Sequence, residues 1–482
     1  MITTDALNKN LLKAEYAVRG PIVIRAQQLE EQGCKIIYCN IGNPQALKQQ
    51  PLSYLRQVMS LLEYPALLEN PAALRGYPGD IVERVRMIQK KNPHGTGAYS
   101  QSAGVPFIRQ AVADFIARRD GIPARRESII LTDGASKGVQ ASLLALLRNP
   151  NDGIMIPIPQ YPLYSATIAL YGGRQIGYYL DEGNGWQLSE SILTESIEQA
   201  RRDGIHPVAI AVINPGNPTG AVLSADNIRM IVEFARRHSL VILADEVYQE
   251  NVYRPGLRFR SFARIMHEMK AEDVTLFSFH SVSKGFLGEC GHRGGYLEMR
   301  NIPPAVLDEM IKLQSISLCA NLPGQIATYM MVAPPQPGDE SYEVYQKERE
   351  GILSALKRKS ELLANACNRI EGLSVEIPQG AMYAFVKLEL PPEKGIDPAR
   401  MSPAERLKYE SRRDFDYCMA LLEETGICVV PGSGFGQMPG TLHFRTTFLP
   451  PQEELEEFAR HIGEFHKNYC QRIVHPHELS HA

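Results

Sequence analysis

The middle of the chain alternates short apolar runs with amphipathic stretches. Buried parallel strands and the helices that cover them give this pattern. It predicts five strands, at residues 128–132, 154–158, 208–213, 240–244 and 274–279. Four of the five lead into loops rich in Gly, Pro, Ser or Asp. Because an open α/β sheet binds its ligand outside the carboxyl ends of its strands, we expect the functional site at these loops.

The proline-rich residues 333–339 interrupt this alternation, since proline suits neither a helix interior nor a central strand. A charged helical stretch follows at about 340–370, then two strand-like pieces at 373–388 and 427–448 and a closing helix. The pattern predicts an α/β protein with a large, doubly wound, mostly parallel sheet domain and a smaller α+β domain. The predicted divisions are an N-terminal arm that also completes the small domain at 1–90, the large domain at 91–335 and the small domain at 336–482.

The composition limits the classes of partner. The chain has 482 residues, 44% of them hydrophobic, which is enough for a large buried core. Its 51 basic and 54 acidic residues leave a formal charge of -3, so no overall field favours nucleic acid or an anionic membrane. No run approaches the roughly 20 apolar residues of a membrane helix, and the opening residues lack a signal or transit pattern. We expect a cytoplasmic protein that acts on small molecules.

The cysteines and the tail histidines form no metal-binding pattern. Eight cysteines are scattered along the chain without a Cys-x-x-Cys pair, which indicates reduced, mostly buried thiols. The C-terminal tail carries His475, His477 and His481, but no Cys or carboxylate ligands stand at a set spacing beside them. We predict no metal site.

A lysine at a strand end is the first candidate for chemistry. Lys284 lies in Ser281-Val-Ser-Lys-Gly, close after the apolar run that ends at residue 279. Two other predicted strands end in Asp245-Glu-Val-Tyr248 and in Asn-Pro-Gly-Asn217-Pro-Thr-Gly. Taken singly, a lysine is normally a solvated charge, an acid at this position can cap a helix, and Asn-Pro-Gly can be a turn. The occurrence of all three at strand ends favours one shared site.

These three groups match what pyridoxal 5'-phosphate (PLP) requires. Its aldehyde needs an amine for a Schiff base, and the same amine can later shuttle a proton, so Lys284 suits both tasks. A carboxylate beside the pyridine nitrogen favours its protonated form, which suits Asp245. Neutral donors should hold the phenolic oxygen of the ring, and Asn217 and Tyr248 are the candidates.

The phosphate of PLP needs amides, hydroxyls and a fixed cation. The segment Asp-Gly-Ala-Ser136-Lys turns a predicted strand into a helix, so its free amides and the helix dipole favour an anion there. Ser281, Ser283 and Arg293 can supply two hydroxyls and a guanidinium. Tyr161 follows another predicted strand, where it either stacks on the ring of the cofactor or belongs to the core.

These motifs, in this order, resemble the fold-type I PLP enzymes of the aspartate aminotransferase superfamily over about residues 40–450. Four segments are similar to the alanine aminotransferase branch, and the plant glutamate:glyoxylate aminotransferases share much of their sequence. The four are Asn-Ile-Gly42-Asn-Pro-Gln, Gly-Glu-Cys-Gly-His-Arg293-Gly-Gly-Tyr, Pro-Pro-Gln-Pro-Gly-Asp and Val-Pro-Gly-Ser-Gly-Phe-Gly.

The resemblance implies a role for each candidate residue. It gives Lys284, Asp245, Asn217 and Tyr248 the roles stated above and makes Tyr161 the ring that stacks on PLP. The residues at the phosphate are then Ala135, Ser136, Ser281, Ser283 and Arg293.

The resemblance also implies substrate contacts and a second subunit. Arg445 matches the arginine that holds the substrate α-carboxylate in a bidentate fork, and Gly42 and Asn217 border the substrate. Tyr99 matches a tyrosine that crosses a dimer interface to the neighbouring subunit's phosphate, so a homodimer is expected.

The implied reaction is a ping-pong transamination in which L-alanine and 2-oxoglutarate give pyruvate and L-glutamate. The alternatives are a glutamate:glyoxylate aminotransferase and a PLP-dependent lyase, because fold and cofactor do not fix the reaction. A PLP-sensing transcription regulator would need a DNA-binding module, and the first 90 residues show no basic helix-turn-helix pattern.

Overall fold

The computed structural model describes residues 2–16 and 20–475, so the predictions on His477 and His481 lie outside the described residues. The helices are α1 (Lys9–Lys13), α2 (Pro21–Glu31), α3 (Ser53–Glu63), α4 (Pro71–Leu74), α5 (Gly79–Lys91), α6 (Pro106–Asp120), α7 (Ala135–Leu146), α8 (Leu163–Leu170), α9 (Glu190–Arg202), α10 (Ala225–His238), α11 (Phe262–Glu268), α12 (Pro304–Ile316), α13 (Leu322–Val332), α14 (Tyr342–Cys367), α15 (Pro403–Thr425) and α16 (Gln452–Val474). The strands are β1 (Ile37–Tyr38), β2 (Ile129–Thr132), β3 (Asp152–Ile158), β4 (Arg174–Tyr179), β5 (His206–Ile213), β6 (Val241–Asp245), β7 (Leu276–Ser281), β8 (Gly295–Arg300), β9 (Leu373–Ser374), β10 (Tyr383–Leu388), β11 (Ile427–Cys428), β12 (Val430–Pro431) and β13 (Leu442–Thr447).

A seven-stranded sheet forms the large domain, in the order β2-β8-β7-β6-β5-β3-β4. Its strands run parallel except β8, which is antiparallel to both of its neighbours. All five predicted strands are present in this sheet, which confirms the α/β class. The pattern missed β4, an edge strand with mostly exposed residues, and β8, which carries the charged Glu298 and Arg300. Neither is the continuous apolar run that marks a strand buried on both faces.

Helices cover both faces of this sheet, as the alternation along β5 illustrates. Ala209 and Ala211 pack in one core cluster with residues of α7 and α8. Ile210 and Val212 pack in another with residues of α9, α10 and α11. Successive side chains of a strand point to opposite faces, so a strand covered on both sides is apolar throughout. The sheet is therefore doubly wound.

A smaller antiparallel sheet, in the order β12-β13-β10-β9, lies in the C-terminal part of the chain. The helix α14 falls within the predicted helical stretch, and a 3-10 helix at Gly432–Phe435 divides the second predicted strand piece. The N-terminal strand β1 pairs in parallel with β11, and α2 packs on α15. In contrast, α3 and α5 share a core cluster with α6 and α13 of the large domain. The N-terminal segment thus contacts both parts of the molecule.

Three further features concern the cysteines, membrane-spanning helices and metal binding. All eight cysteines are free thiols. Within residues 2–16 and 20–475, no helix is long and apolar enough to cross a membrane. In the same part of the chain, no cluster of three His, Cys, Asp or Glu side chains could hold a metal ion.

Candidate active site

A cavity of about 890 Å³ lies at the carboxyl ends of the parallel strands, where β10 of the small sheet faces them. All but two of the predicted site residues line it. They are Gly42, Ala135, Ser136, Tyr161, Asn217, Asp245, Tyr248, Ser281, Ser283, Lys284 and Arg293. Of the other two, Arg445 is buried and contacts Asn217. Tyr99 does not line the cavity and is 78% exposed.

Lys284 follows β7, and its amine is covered by the N-terminal segment. Nζ donates a 3.0 Å hydrogen bond to the carbonyl oxygen of Gly42. It also lies 5.6 Å from the centre of the Tyr248 ring, in the loop after β6. A Cβ atom on Gly42 would overlap the Tyr383 hydroxyl and lie 3.2 Å from the lysine amine. Only a glycine lets the backbone approach the lysine this closely.

Asp245 ends β6 with one carboxylate oxygen paired and the other unpaired. Its Oδ2 accepts a 3.2 Å hydrogen bond from the Tyr164 hydroxyl, whereas Oδ1 is buried without a protein partner. Burial raises the pKa of Asp245 to about 6, against the lowering effects of Tyr164 and the positive charge of Lys284. A buried cationic or donor group at Oδ1 would satisfy it and favour its ionised form. The carboxylate is therefore suited to hold a protonated ring nitrogen.

Two tyrosines form a pair beside Lys284. The rings of Tyr248 and Tyr383 meet edge to face, with their centres 6.2 Å apart. Burial raises the pKa of Tyr248 well above its usual value. Burial also acts to raise the pKa of Tyr383, but Lys284 and Arg445 lower it below its usual value. The pair can therefore donate hydrogen bonds to an anionic oxygen in the cavity.

Donors for an anion converge at the start of α7. Gly134, with φ of +74°, turns β2 into α7, and a Cβ on it would overlap Arg293. The Arg293 guanidinium donates 3.2 Å hydrogen bonds to Ser136 Oγ and to the carbonyl oxygen of Asp133. Ser283 adds a buried hydroxyl without a protein partner. Free helix amides, hydroxyls and a guanidinium together form an anion site.

Arg445 is 1% exposed, yet its guanidinium is only partly paired. Nη2 donates a 2.5 Å hydrogen bond to the carbonyl oxygen of Asn40, and Nη1 lies 3.4 Å from Oδ1 of Asn217. Its carbon lies 4.2 Å from the ring centre of Tyr383 and 4.6 Å from that of Phe435. Nε has no protein partner. A buried guanidinium with unused donors is suited to a carboxylate ligand.

Three tyrosines of the site were missed in the sequence. The Tyr16 hydroxyl lies 2.7 Å from the Tyr161 hydroxyl, within hydrogen-bond distance. The Tyr164 hydroxyl donates a hydrogen bond to Asp245. Tyr383 lies between Arg445 and Lys284. Tyr164 had a signal, because it stands three residues after Tyr161 at the start of a helix, one turn away. Tyr16 and Tyr383 had none, since both come from segments far from the motifs.

The chain belongs to the class I and II aminotransferase family, whose model matches residues 76–462. It is therefore a PLP-dependent transferase of α/β fold. An *Arabidopsis thaliana* protein named alanine aminotransferase 1, mitochondrial, is 47% identical, with 98% of this chain and 88% of the relative covered. Glutamate–glyoxylate aminotransferase 2 of the same plant is 45% identical, with 98% and 97% covered. A solved structure of alanine aminotransferase from *Pyrococcus furiosus* matches with a TM-score of 0.76 at 27% identity, covering 96% of this chain and all of that one.

The side chains of the cavity fit PLP. The unpaired Oδ1 of Asp245 is suited to the ring nitrogen, and the unpaired hydroxyl of Ser283 lies among the donors suited to the phosphate. Lys284 has an amine suited to the aldehyde, and the Tyr161 ring lines the same cavity. Buried polar atoms without partners are uncommon in native structures, so their presence here supports a ligand that satisfies them.

Proposed function

We propose that this chain is an alanine aminotransferase that converts L-alanine and 2-oxoglutarate to pyruvate and L-glutamate. The observation that carries the proposal is that Lys284 and the half-paired carboxylate of Asp245 line one cavity, and that the half-paired guanidinium of Arg445 contacts Asn217 in its wall. The relative named alanine aminotransferase 1 at 47% identity supports the choice of alanine.

In this proposal, the chain's own residues bind and orient the cofactor. PLP, when bound, supplies an electron-withdrawing ring that stabilises negative charge at the substrate Cα. Asp245 holds the ring nitrogen protonated, and Asn217 and Tyr248 hold the phenolic oxygen. Lys284 holds PLP covalently and then moves the proton at the substrate Cα.

The phosphate and ring contacts are proposed for the residues around them. Tyr161 stacks on the ring, and the phosphate is held by Ala135, Ser136, Ser281, Ser283 and Arg293. This arrangement is supported by the free amides at the start of α7 and by the Arg293 guanidinium beside Ser136.

Arg445 would hold the α-carboxylate of both substrates in a bidentate fork, so one site serves both half-reactions. Alanine offers only a methyl group beyond that anchor. Tyr16, Ile41 and Tyr383 line the cavity, and in this proposal they limit the space for the donor side chain, so large apolar donors should be rejected by size. Closure of the segment at Gly42 over Lys284 would keep water from the reacting atoms.

A glutamate:glyoxylate aminotransferase is the second candidate, supported by the plant relative of that name at 45% identity. The test is a donor-by-acceptor matrix of kcat/KM on purified enzyme, with alanine, glutamate, aspartate and phenylalanine against pyruvate, 2-oxoglutarate and glyoxylate. Alanine with 2-oxoglutarate should be the best pair. If glutamate with glyoxylate exceeds it by more than about tenfold, roughly 1.4 kcal/mol in transition-state stabilisation, the second candidate replaces the first.

The matrix also tests the reaction type. Alanine added without a 2-oxo acid should convert the enzyme to its pyridoxamine phosphate form, which has a different absorbance. A lyase would instead release product and return to its starting spectrum.

We further propose a homodimer in the cytoplasm. The exposed Tyr99 ring supports a neighbouring subunit at that surface, since a large exposed aromatic is typical of interfaces. The cytoplasmic location remains a prediction to be tested by cell fractionation, because one of the relatives above is named as mitochondrial.

A further inference from the structure

A contact joins the small sheet to the large domain two residues away from Arg445. His443 and Arg445 both lie on β13, where residues two apart face the same side of the strand. His443 is 2% exposed, and its Nε2 lies 3.1 Å from Oε1 of Glu182. Glu182 begins a short 3-10 helix, Glu182–Asn184, that follows β4 of the large sheet. The contact therefore crosses the boundary between the two sheets.

Both ring nitrogens of His443 have a hydrogen-bond partner. Nδ1 lies 3.0 Å from Oε1 of Gln437 and Nε2 faces the Glu182 carboxylate, so both partners are acceptors. The Gln437 amide is oriented from its other end, where Nε2 donates to Asp414 at 3.0 Å. Asp414 also accepts from the amide and the hydroxyl of Ser433. Each ring nitrogen of His443 thus faces an oxygen acceptor, and the Glu182 carboxylate is the one contributed by the large domain.

Aromatic packing fixes the His443 ring. It stacks on Phe385 with centres 4.5 Å apart and planes 8° apart, and it meets Trp186 at 6.1 Å. Trp186 is the chain's single tryptophan and is 6% exposed. Phe385 lies opposite Arg445 in the register of β10 and β13. A shift of His443 would therefore displace β13, the strand that carries Arg445.

One more charge faces the Glu182–His443 pair. Nζ of Lys387, the residue opposite His443 on β10, lies 3.9 Å from Oε2 of Glu182. Burial acts to raise the pKa of Glu182, but His443 and Lys387 lower it below its usual value. Because the Glu182 side chain is 29% exposed, solvent screens the pair. We therefore expect the Glu182–His443 contact to affect the position of β13 more than the free energy of unfolding.

We propose that His443 and Glu182 are positioning residues whose hydrogen-bonded contact holds β13 against the large domain and so fixes Arg445 for the substrate carboxylate. The inference rests on the proposed function, in which Arg445 binds the α-carboxylate of both substrates. The binding of alanine and the binding of 2-oxoglutarate should then depend equally on the Glu182–His443 contact, because both substrates use the Arg445 guanidinium.

The test is Glu182→Gln in the PLP-loaded enzyme, which removes the charge and keeps the shape. KM should rise about fivefold or more for both alanine and 2-oxoglutarate, with kcat within about twofold. Acrylamide should quench the fluorescence of Trp186 more readily than in the wild type, since the contact that covers this residue is loosened. His443→Gln should act in the same direction. The double variant should be no worse than the more affected single variant, because both changes remove one interaction.

The matched control is Glu190→Gln, which removes a carboxylate from an exposed pair with Arg237 in the large domain. It should leave KM and quenching unchanged. Unchanged KM and quenching in Glu182→Gln would overturn the inference, and so would a loss confined to kcat or fully additive effects in the double variant. Arg445→Lys separates this outcome from failure of the proposed function. If that variant impairs both half-reactions, the role of Arg445 stands whether or not the Glu182–His443 pair positions it.

Discussion

The hydroxyl of Tyr164 donates a 3.2 Å hydrogen bond to Oδ2 of Asp245, where Asp245 lines the cavity and Tyr164 is fully buried. The bond leaves Oδ1 as the carboxylate oxygen without a protein partner. A hydrogen bond to the ionised carboxylate stabilises its charge, so Tyr164 favours the ionised form of Asp245, the form that we propose pairs with the cofactor.

Tyr164→Phe should therefore lower kcat about tenfold, the equivalent of roughly 1.4 kcal/mol, with KM for alanine nearly unchanged. Steady-state kinetics on the PLP-loaded enzyme measures both. Tyr178→Phe is the matched control, because the Tyr178 hydroxyl is equally buried and donates a 2.6 Å bond to the carbonyl oxygen of Ala211. An equal loss of kcat in both variants would remove the special role of Tyr164.

Asp245 should make the stability of PLP-free enzyme depend on pH. Its folded pKa of about 6 lies above the usual value of about 3.9, so its contribution is present at low pH and is lost as pH rises through 6. Denaturation by urea at pH 5 and pH 7.5 should show Asp245→Asn gaining stability relative to the wild type by about 1 kcal/mol or more at the higher pH.

Addition of PLP should cancel that gain, because a protonated ring nitrogen pairs with the wild-type carboxylate. Glu246→Gln is the control, since burial raises the pKa of Glu246 to about 7 in the same direction. The stability of the Glu246→Gln variant relative to the wild type should change with pH whether or not PLP is bound. The same PLP-independent behaviour in Asp245→Asn would contradict a contact between Asp245 and the cofactor.

Gly42→Ala should lower kcat/KM at least tenfold, because the added Cβ overlaps the Tyr383 hydroxyl and crowds the Lys284 amine. Adding Tyr383→Phe removes the overlapping oxygen and should restore part of the activity. Gly351→Ala, in α14, is the control and should be neutral, since its Cβ would meet nothing within 4 Å. No recovery in the double variant would show that the clash with Tyr383 is not the cause.

Lys284 should carry the cofactor covalently. Borohydride reduction of the PLP-loaded enzyme, followed by peptide mapping, should place a pyridoxyl group on this lysine. Lys284→Ala should abolish turnover while still binding PLP noncovalently, because the ring and phosphate contacts remain. A label on another lysine would end the assignment.

Tyr99 should act on the partner subunit of a dimer. Lys284→Ala and Tyr99→Phe, each expected to be inactive or nearly so, can be co-expressed with different tags. A mixed dimer has one site with both defects and one with neither, so random mixing should restore about a quarter of wild-type activity. Absence of recovery in purified mixed dimers, or a monomeric enzyme at assay concentration, would refute the prediction.

The local pattern of hydrophobic and polar residues was sufficient to predict the strands that are buried on both faces. The five predicted runs are mostly apolar, so they were found as strands, whereas β4 and β8 escaped detection because most residues of β4 are exposed and β8 carries the charged Glu298 and Arg300. The motifs after these strands were found for a similar reason, because Gly, Pro, Ser and Asp at strand ends are local signals.

The sequence by itself determined the α/β class, the family and the set of residues that end the parallel strands, because strand periodicity and turn chemistry act over a few residues. Only the tertiary structure decided that Tyr16 and Tyr383 join them and that Glu182 meets His443 from 261 positions away. Such contacts depend on how the two sheets and the N-terminal segment pack together. Such packing leaves no pattern in the sequence, because the local pattern of each segment would be the same if the segment packed against a different neighbour.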